Sequence, residues 1–270
     1  MHVVVLGAGV IGVTTAYYLS ELGHSVTVVD RADSVASGAS AGNGGQLSYS
    51  FTDAMASPAL LSKIPKMMTG LDPAFYVRPP LNSQLVCWGQ AFLRQCSTHQ
   101  NQKNTTAILQ LALRSATLMS DLHSQTAVEF SFRQAGKLVL QSDHAAMTEA
   151  AQVSALKRNY GCDARVVTFA EAVAIEPALK HLKNKYAGAV YSENDQVGDS
   201  LEFTRGLAQW LSLNRGIEFK LNTTVQKLVT GGRKLAAVET DQGALQADAV
   251  VVCLGAWSKN LLDPLGIKTN

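Results

Sequence analysis

The stretch HVVVLGAGVIG, from His2 to Gly12, decides the fold of this chain. The residues before its first glycine are mostly apolar and predict a buried strand, and Val13 to Leu22 predicts a helix. Ser25 to Val29 then predicts a second strand, which runs into Asp30. A GxGxxG pattern between a strand and a helix, with an acid after the next strand, is typical of a dinucleotide-binding βαβ unit.

Each glycine of this pattern has a physical role. Gly7 permits a tight turn, Gly9 lets the backbone approach a pyrophosphate, and Gly12 lets the helix pack closely on the strand. The helix N-terminus offers free N–H groups and the positive end of a dipole to the phosphates. Asp30 can accept hydrogen bonds from a ribose 2′-hydroxyl but would repel a 2′-phosphate. We therefore expect FAD or NAD rather than NADP, although Arg31 is a neighbouring cation.

The composition sets wider limits. The chain has 270 residues, 47% of them hydrophobic and 16% charged, which suffices for one large or two small domains. A net charge of +2 without a basic run argues against a nucleic-acid partner. We expect no signal peptide, because a strand begins at residue 2, and no membrane span, because no long uncharged apolar stretch occurs. The cysteines lack metal-ligand spacing, so we expect no metal and reduced, buried thiols at Cys87, Cys96, Cys162 and Cys253.

Residues 37–46 are rich in serine, alanine and glycine, and two interpretations are open. Composition alone is typical of a flexible linker. The position directly after the ribose-binding acid favours a loop that lines a ligand, because small residues let the backbone pass close to a ring or a phosphate.

The rest of the chain mixes helices and strands. A fully apolar strand over 249–254 runs into Gly255, which we expect on the same rim of the sheet as Gly7 because ligands bind outside the carboxyl ends of parallel strands. Residues 58–80 hold five prolines and predict irregular chain between domains, and 193–199 predicts a turn. We predict helices over 83–95, 105–125, 145–160, 169–173 and 201–213, and strands over 137–140, 165–168, 188–191, 217–221, 224–229, 234–240 and 243–246.

Six segments together resemble one known family. They are residues 3–14, 26–31, 40–48, 133–138, 198–204 and 254–258. The chain resembles the FAD-dependent D-amino acid oxidase superfamily, which includes glycine oxidase and sarcosine oxidase, and within it most resembles the bacterial D-amino acid dehydrogenase small subunit. The glycine fingerprint is common to many folds, whereas residues 43–46 and 198–204 are more specific.

The resemblance implies an α/β fold, with an FAD-binding Rossmann-like domain of the GR2 type and an inserted α+β substrate domain. It assigns residues 1–60 and 197–270 to the FAD-binding domain and 61–196 to the first part of the substrate domain. The glycine loop would hold the pyrophosphate, the acid the ribose, the 40–47 loop the pyrophosphate and flavin ring, and Val225 the adenine, and Gly255 and Ala256 would close over the cofactor. Trp257 is either a core or interface aromatic or a cofactor contact. The full implied set is Val3, Val4, Val5, Leu6, Gly7, Ala8, Gly9, Val10, Ile11, Gly12, Val13, Thr14, Thr15, Ala16, Tyr17, Asp30, Arg31, Ser40, Asn43, Gly44, Gly45, Gln46, Leu47, Val225, Gly255 and Ala256.

Members of this family are longer than 270 residues. They continue into the rest of the substrate sheet and a glycine-rich closing strand under the flavin. The resemblance therefore implies a fold that is incomplete at the C-terminus, so that the chain is a fragment, a truncated product or one piece of a split enzyme with a partner chain.

The implied reaction is oxidative deamination of a D-amino acid, with D-alanine as the expected substrate. A hydride would move from Cα to flavin N5, and the imine would hydrolyse to a 2-oxo acid and ammonia. Electrons would pass to a carrier such as a membrane quinone, so we expect a cytoplasmic protein or one bound peripherally to the inner face of the plasma membrane. No catalytic residue is assigned, because none of the six histidines lies in a recognisable catalytic arrangement.

Three alternatives stay open. The first is a glycine, sarcosine or proline-type amine oxidase on the same scaffold. The second is an NAD-binding domain without flavin, which the 37–46 loop and the distant 250–254 strand argue against. The third is a non-catalytic flavin-binding remnant.

Overall fold

The computed structural model describes residues 1–72, 83–182, 185–232 and 234–268, with the backbone alone at Gln84 and Lys234. Its contacts divide the chain into two compact units, which we call the first and the second unit. The first unit comprises Met1–Gln46, Asp121–Arg133 and Val197–Asn270, and the second comprises Leu47–Ser120 and Gln134–Gln196.

These units differ from the expected boundaries in two places. The chain leaves the first unit at Gln46 instead of residue 60, and residues 121–133 belong to the first unit. The second difference has a packing reason, because the Phe130 ring lies 5.1 Å from that of Phe203. Sequence periodicity could not reveal this return of the chain.

The elements follow the predicted order, with shifted ends. The strands are β1 (His2–Leu6), β2 (Ser25–Val29), β3 (Gln46–Leu47), β4 (Lys137–Gln141), β5 (Arg165–Thr168), β6 (Gly188–Ser192), β7 (Gln196–Val197), β8 (Glu218–Lys220), β9 (Val225–Gly231), β10 (Lys234–Thr240), β11 (Gly243–Leu245) and β12 (Ala249–Val252). The α-helices are α1 (Val10–Glu21), α2 (Pro58–Leu61), α3 (Ile64–Thr69), α4 (Ser83–Arg94), α5 (Thr98–Thr126), α6 (His144–Arg158), α7 (Phe169–Ile175), α8 (Ser200–Arg215) and α9 (Ser258–Leu262), and 3₁₀ turns cover Pro177–Leu182, Gly255–Trp257 and Asp263–Leu265.

A four-stranded sheet organises the first unit. Its strand order is β12-β1-β2-β8, and every pair is parallel. The expectation that the distant apolar strand completes the sheet is confirmed, because Val4 lies opposite Val250. Since the strands are parallel, all four carboxyl ends meet at one edge, which is where such sheets bind ligands.

Side chains on opposite faces of this sheet have different neighbours. Val4 and Leu6 share one face because side chains alternate along a strand. They form a buried cluster with Val238 of the antiparallel β9–β10–β11 sheet and with Leu261. Helix α1 packs on β1, β2 and α8. The glycine loop that joins β1 to α1 is thereby fixed by packed elements.

The second unit is built around the antiparallel sheet β4-β6-β5. Val167, Ala172 and Ala189 form one buried cluster, which joins this sheet to α7. Leu109 of α5 forms a second cluster with residues that follow α6. Helix α7 begins with a capping box, in which Thr168 and Glu171 bond each other's backbone N–H groups.

The structure corrects three local predictions. Residues 58–72 are not irregular throughout, because Pro58 and Pro65 lie in the first turns of α2 and α3, where proline costs no hydrogen bond. Residues 73–80 of that stretch lie outside the described residues. Helix α5 begins at Thr98 instead of residue 105, and the predicted turn over 193–199 contains the short strand β7.

The cysteines are only partly as expected. All four are free thiols, and Cys96 and Cys162 are buried, but Cys87 is exposed and Cys253 is half-buried. In the part of the chain that the structure describes, no helix is long and apolar enough to cross a membrane.

Candidate dinucleotide-binding site

The rim of the first unit's sheet begins where β1 and β12 end side by side. Leu6 lies opposite Val252, so Gly7 and Cys253 are neighbours. Gly7 has φ +105°, and a Cβ there would lie 2.5 Å from the Cys253 carbonyl oxygen. Both facts require glycine, in agreement with the predicted tight turn.

Gly12 holds the helix against the strand end. A Cβ at this position would lie 1.7 Å from the Gly7 carbonyl oxygen, a distance that no side chain can have. The first turn of α1 therefore lies directly against the turn that follows β1. This is the close packing expected of the third glycine in the pattern.

Gly9 differs from its two neighbours because the space around it is open. It is the N-cap of α1 in an extended conformation, and a Cβ would meet only the Ser40 hydroxyl oxygen, at 3.4 Å. The Val10 N–H donates to that hydroxyl at 3.0 Å, and the Ile11 side chain is 65% exposed. A helix N-terminus with room in front of it and a hydroxyl beside it fits a phosphate group.

Asp30 lies beside this loop. Its carboxylate accepts the Ala8 N–H at 2.7 Å and the Ala32 N–H at 2.9 Å. Its own N–H donates to the Lys220 carbonyl at 3.0 Å, which fixes the residue at the end of β2. The acid thus stands next to the phosphate position, where a ribose hydroxyl would be accepted and a second phosphate would be repelled.

The serine- and glycine-rich loop is bonded in place, which favours the ligand-lining interpretation over a free linker. The Asn43 side chain accepts the Gly45 N–H at 2.8 Å, and the Gly198 N–H donates to the Gly45 carbonyl at 2.9 Å. Gly45 has φ +68°, and a Cβ there would lie 2.8 Å from the Gly198 carbonyl oxygen. The segment that starts at Gly198 then enters α8 through the N-cap Asp199.

The chain after β12 also reaches the rim. Gly255, with φ +56°, begins a 3₁₀ turn two residues beyond Cys253, so its predicted place on the same edge as Gly7 is confirmed. Trp257 is 57% exposed, so its interpretation as a core aromatic is wrong. The Arg31 guanidinium lies 4.6 Å above the Trp257 ring and therefore covers an aromatic face beside Asp30.

The other residues of the implied set fall into two groups. Several reach the surface of the first unit, whereas others lie in its core and pack beneath the rim. Val225 begins β9 and packs against the Val4 cluster, while its expected contact with adenine would involve its backbone. The core group consists of Val3, Val4, Val5, Leu6, Ala8, Val13, Ala16 and Tyr17, and the surface group includes Gly44, Gln46, Ala256 and the half-buried Thr14 and Thr15.

Sequence reasoning missed two supporting residues. A Cβ at Gly198 would lie 2.5 Å from the Phe130 ring, so that glycine is required by a residue 68 positions earlier. Cys253 supplies the carbonyl against which Gly7 turns. Neither contact has a local signal, although the resemblance did single out the segment that starts at Gly198.

The donor set of this rim matches a dinucleotide. Among the described residues, no group of three or more histidine, cysteine, aspartate or glutamate side chains could hold a metal ion. Open backbone at Gly9, the hydroxyl of Ser40 and the carboxylate of Asp30 fit the pyrophosphate and ribose of FAD.

This chain is similar to known proteins along its whole length. The D-amino acid dehydrogenase of Phenylobacterium zucineum is 37% identical over 269 residues, which is 100% of this chain and 63% of that protein. That of Bradyrhizobium diazoefficiens is 35% identical over 267 residues, or 99% of this chain and 63% of that protein. The chain thus spans less than two thirds of the length of these relatives.

Solved structures share the fold. L-proline dehydrogenase from P. horikoshii matches with a TM-score of 0.73 at 21% identity, over 100% of this chain and 56% of that one. Glycine oxidase from Geobacillus kaustophilus matches with a TM-score of 0.70 at 21% identity, over 98% and 58%. The model of the DAO family, described as FAD dependent oxidoreductase, matches residues 2–269, so the chain belongs to this family of FAD-dependent oxidoreductases.

Proposed function

We propose that this chain forms the FAD-binding part of an enzyme that oxidatively deaminates D-amino acids. The observation that carries the proposal is the identity of 34–37% with proteins named D-amino acid dehydrogenase over at least 99% of this chain. The first unit's rim supports it, because the open backbone at Gly9 suits the pyrophosphate of a dinucleotide and the carboxylate of Asp30 suits its ribose.

The bound flavin supplies the acceptor for the hydride that leaves the substrate Cα. The residues of this chain bind and orient the cofactor. The N-terminus of α1 and the Ser40 hydroxyl hold the pyrophosphate, and Asp30 fixes the ribose. The backbone of loop 43–47 approaches the flavin, and its hydrogen bond to Gly198 holds it in that position. The imine then reacts with water to give a 2-oxo acid and ammonia.

D-alanine is our proposed substrate, and a carrier such as a membrane quinone is our proposed electron acceptor. A second polypeptide or further chain segment would complete the substrate pocket. The solved structures named proline dehydrogenase and glycine oxidase are only 21% identical to this chain and therefore support the fold alone. Glycine, sarcosine and proline are accordingly the comparison substrates in the test.

The test has two stages. The purified 270-residue chain is first titrated with FAD while flavin fluorescence and absorbance are recorded, and we expect saturation at one FAD per chain. The FAD-loaded protein, together with the polypeptide or chain segment that completes its substrate pocket, is then mixed anaerobically with D-alanine, L-alanine, glycine, sarcosine or proline. Bleaching by D-alanine alone supports the substrate, whereas bleaching by another amine contradicts it. Binding of NAD without FAD would contradict the cofactor.

We also propose a peripheral position on the inner face of the plasma membrane. The support lies in residues 54–120, which contain six lysine and arginine residues but only one acid, Asp72. The same stretch exposes large apolar side chains, among them Leu71 (76%), Trp88 (55%) and Leu111 (71%). Apolar side chains with cations and almost no acids suit an anionic lipid surface.

Vesicle co-sedimentation tests this position. We expect the chain to bind vesicles that contain phosphatidylglycerol, to release them in high salt, and to bind pure phosphatidylcholine weakly. Trp88→Ser should weaken binding, whereas Leu213→Ser, which changes a still more exposed apolar side chain in the first unit (76% against 55%), should not. Equal binding to both kinds of vesicle would contradict the proposal.

A further inference from the structure

Residues 48–56 of the second unit form neither helix nor strand, yet side chains of other elements hold the segment at several positions. On helix α5, Asn101 donates to the carbonyls of Ala54 and Ala56 at 3.0 and 2.8 Å, and the Thr105 hydroxyl accepts the Ala54 N–H at 3.1 Å. On β4, Lys137 donates to the Ser48 hydroxyl at 2.8 Å. Backbone N–H and carbonyl groups outside helices and strands need other hydrogen-bond partners. In this segment, neighbouring side chains supply several of them and thereby fix its position.

Ser50 is the centre of this arrangement, because two charged side chains hold its two backbone groups. Its N–H donates to the Asp195 carboxylate at 3.1 Å, and its carbonyl accepts from the Lys157 ammonium at 2.9 Å. Lys157 also forms an ion pair with Asp53 at 2.9 Å. We call Lys157, Asp195 and the Ser50 peptide groups the Ser50 clamp.

The clamp is deeply buried, with Lys157, Asp195 and Ser50 only 3%, 2% and 4% exposed. Buried charges are costly, and apolar residues of similar volume are often at least as stabilising. Three buried oxygens nearby have no hydrogen-bond partner, namely Ser50 Oγ, Thr52 Oγ1 and Asp195 Oδ2. A group of this kind is a poor way to stabilise a core, but it fixes one backbone position accurately.

We propose that Lys157 and Asp195 are positioning residues that set the path of residues 48–56 and, through them, of the loop at Asn43–Leu47. The chain link is direct, since Ser48 follows Leu47. This inference rests on the proposed function in one respect, namely that the 43–47 loop lies along the flavin. Neither residue touches the cofactor. Their effect is transmitted by the backbone that they hold.

Hydrogen exchange followed by mass spectrometry tests the clamp itself. In Asp195→Asn and Lys157→Met, amides of the peptide that covers residues 48–56 should exchange about tenfold faster. Lys157→Met removes the charge-assisted hydrogen bond to the Ser50 carbonyl, and Asp195→Asn leaves only a neutral, weaker acceptor for the Ser50 N–H. Ser50→Ala removes a side chain but keeps both backbone contacts, so its exchange should match that of the unaltered chain. Lys180→Met removes an exposed lysine and should also leave the peptide unchanged.

The flavin spectrum tests the consequence. At equal FAD occupancy, Asp195→Asn should shift the visible circular dichroism of the flavin, whereas Ser50→Ala and Lys180→Met should not. Unchanged exchange in both clamp variants, or faster exchange with an unchanged flavin signal, would overturn the inference. If the unaltered chain binds no FAD, the proposed function fails, and the exchange data still decide whether the clamp holds the segment. A general loss of protection in Lys157→Met alone leaves Asp195→Asn as the deciding variant.

Discussion

The rim of the first unit and the Ser50 clamp of the second achieve the same end by opposite means. At the rim, backbone segments approach each other closely because Gly7 and Gly12 have no side chain. A Cβ at either residue would lie within 2.5 Å of a carbonyl oxygen. At the clamp, backbone geometry is set by two buried charges that bind the N–H and the carbonyl of one residue, Ser50. The first device leaves open backbone for a ligand, whereas the second closes the backbone off.

The two regions also differ in how far apart their residues lie in the sequence. Gly7, Gly9 and Gly12 fall within six residues, so their local spacing predicts a dinucleotide-binding loop. Lys157 and Asp195 lie 107 and 145 positions from Ser50, and only the fold brings them together. A site made of local spacing can be predicted from one sequence, but a site made of distant partners cannot.

The largest effect should come from Gly12→Ala. The added Cβ would lie 1.7 Å from the Gly7 carbonyl oxygen, a backbone atom that cannot move aside as a flexible side chain could. We expect a loss of about 4 kcal/mol or more in the free energy of unfolding of the first unit. Thermal and urea unfolding measure it. Gly42→Ala is the matched control, since a Cβ there meets nothing within 4 Å. Equal stability of the two variants would show that the close packing of α1 does not require glycine at position 12.

Gly9→Val should separate binding from folding. Gly9 has φ −77°, and a Cβ would meet only the Ser40 hydroxyl, so the fold should tolerate valine. The branched side chain would occupy the space in front of the helix N-terminus. We expect FAD affinity to fall about a hundredfold, or roughly 3 kcal/mol, with little change in unfolding temperature. Stoichiometric FAD retained after gel filtration would refute the pyrophosphate assignment of this loop.

These two glycines mark what the sequence could predict. The βαβ unit and its glycine pattern follow from local periodicity, and the structure has each predicted strand of it within the expected residues. The apolar strand at Ala249–Val252 was also predictable, because buried parallel strands are apolar throughout. The place of Gly255 on the same rim as Gly7 followed from the rule that such sheets bind ligands at one edge, whereas the pairing of this strand with β1 was not predicted.

Other features had no signal of this kind. Residues 121–133 join the first unit because Phe130 packs on Phe203, and helical periodicity is the same whichever unit a helix end packs on. The early start of α5 at Thr98 escaped because its first turns are polar and show no apolar stripe. The Ser50 clamp escaped because a lysine and an aspartate in isolation predict only solvated surface.

Asp30→Ala should have a smaller effect on the rim than either glycine variant. The variant removes an acceptor for the ribose and also the bonds to the Ala8 and Ala32 N–H groups. We expect FAD binding to weaken by about 1 to 3 kcal/mol, and isothermal titration measures it. Asp30→Asn keeps one acceptor oxygen and should fall in between. An unchanged FAD dissociation constant in Asp30→Ala would contradict the ribose assignment.

The smallest effect at neutral pH should come from Tyr49→Phe in the second unit. Tyr49 donates to Gln196 at 3.2 Å, so its loss should cost about 1 kcal/mol. Burial, and then the negative charge of Asp195, raise the pKa of the Tyr49 hydroxyl from 10.0 to about 12. A raised pKa means that the folded state holds its proton more tightly than the unfolded state. This contribution to stability is complete below pH 10 and is lost as the pH rises to about 12.

Unfolding measured at closely spaced steps between about pH 9 and about pH 12.5, a range that includes the usual tyrosine pKa of about 10, resolves this loss of stability. Tyr49→Phe should flatten the decline in stability at alkaline pH, because it removes the titrating hydroxyl. Tyr17 of the first unit also has a pKa raised by burial, so part of the decline should remain in Tyr49→Phe. We expect Asp195→Asn to lower the pKa of Tyr49, because it removes a nearby negative charge. That result would show that one buried carboxylate acts on both Ser50 and Tyr49 in the second unit, whereas the rim of the first unit is shaped by glycines.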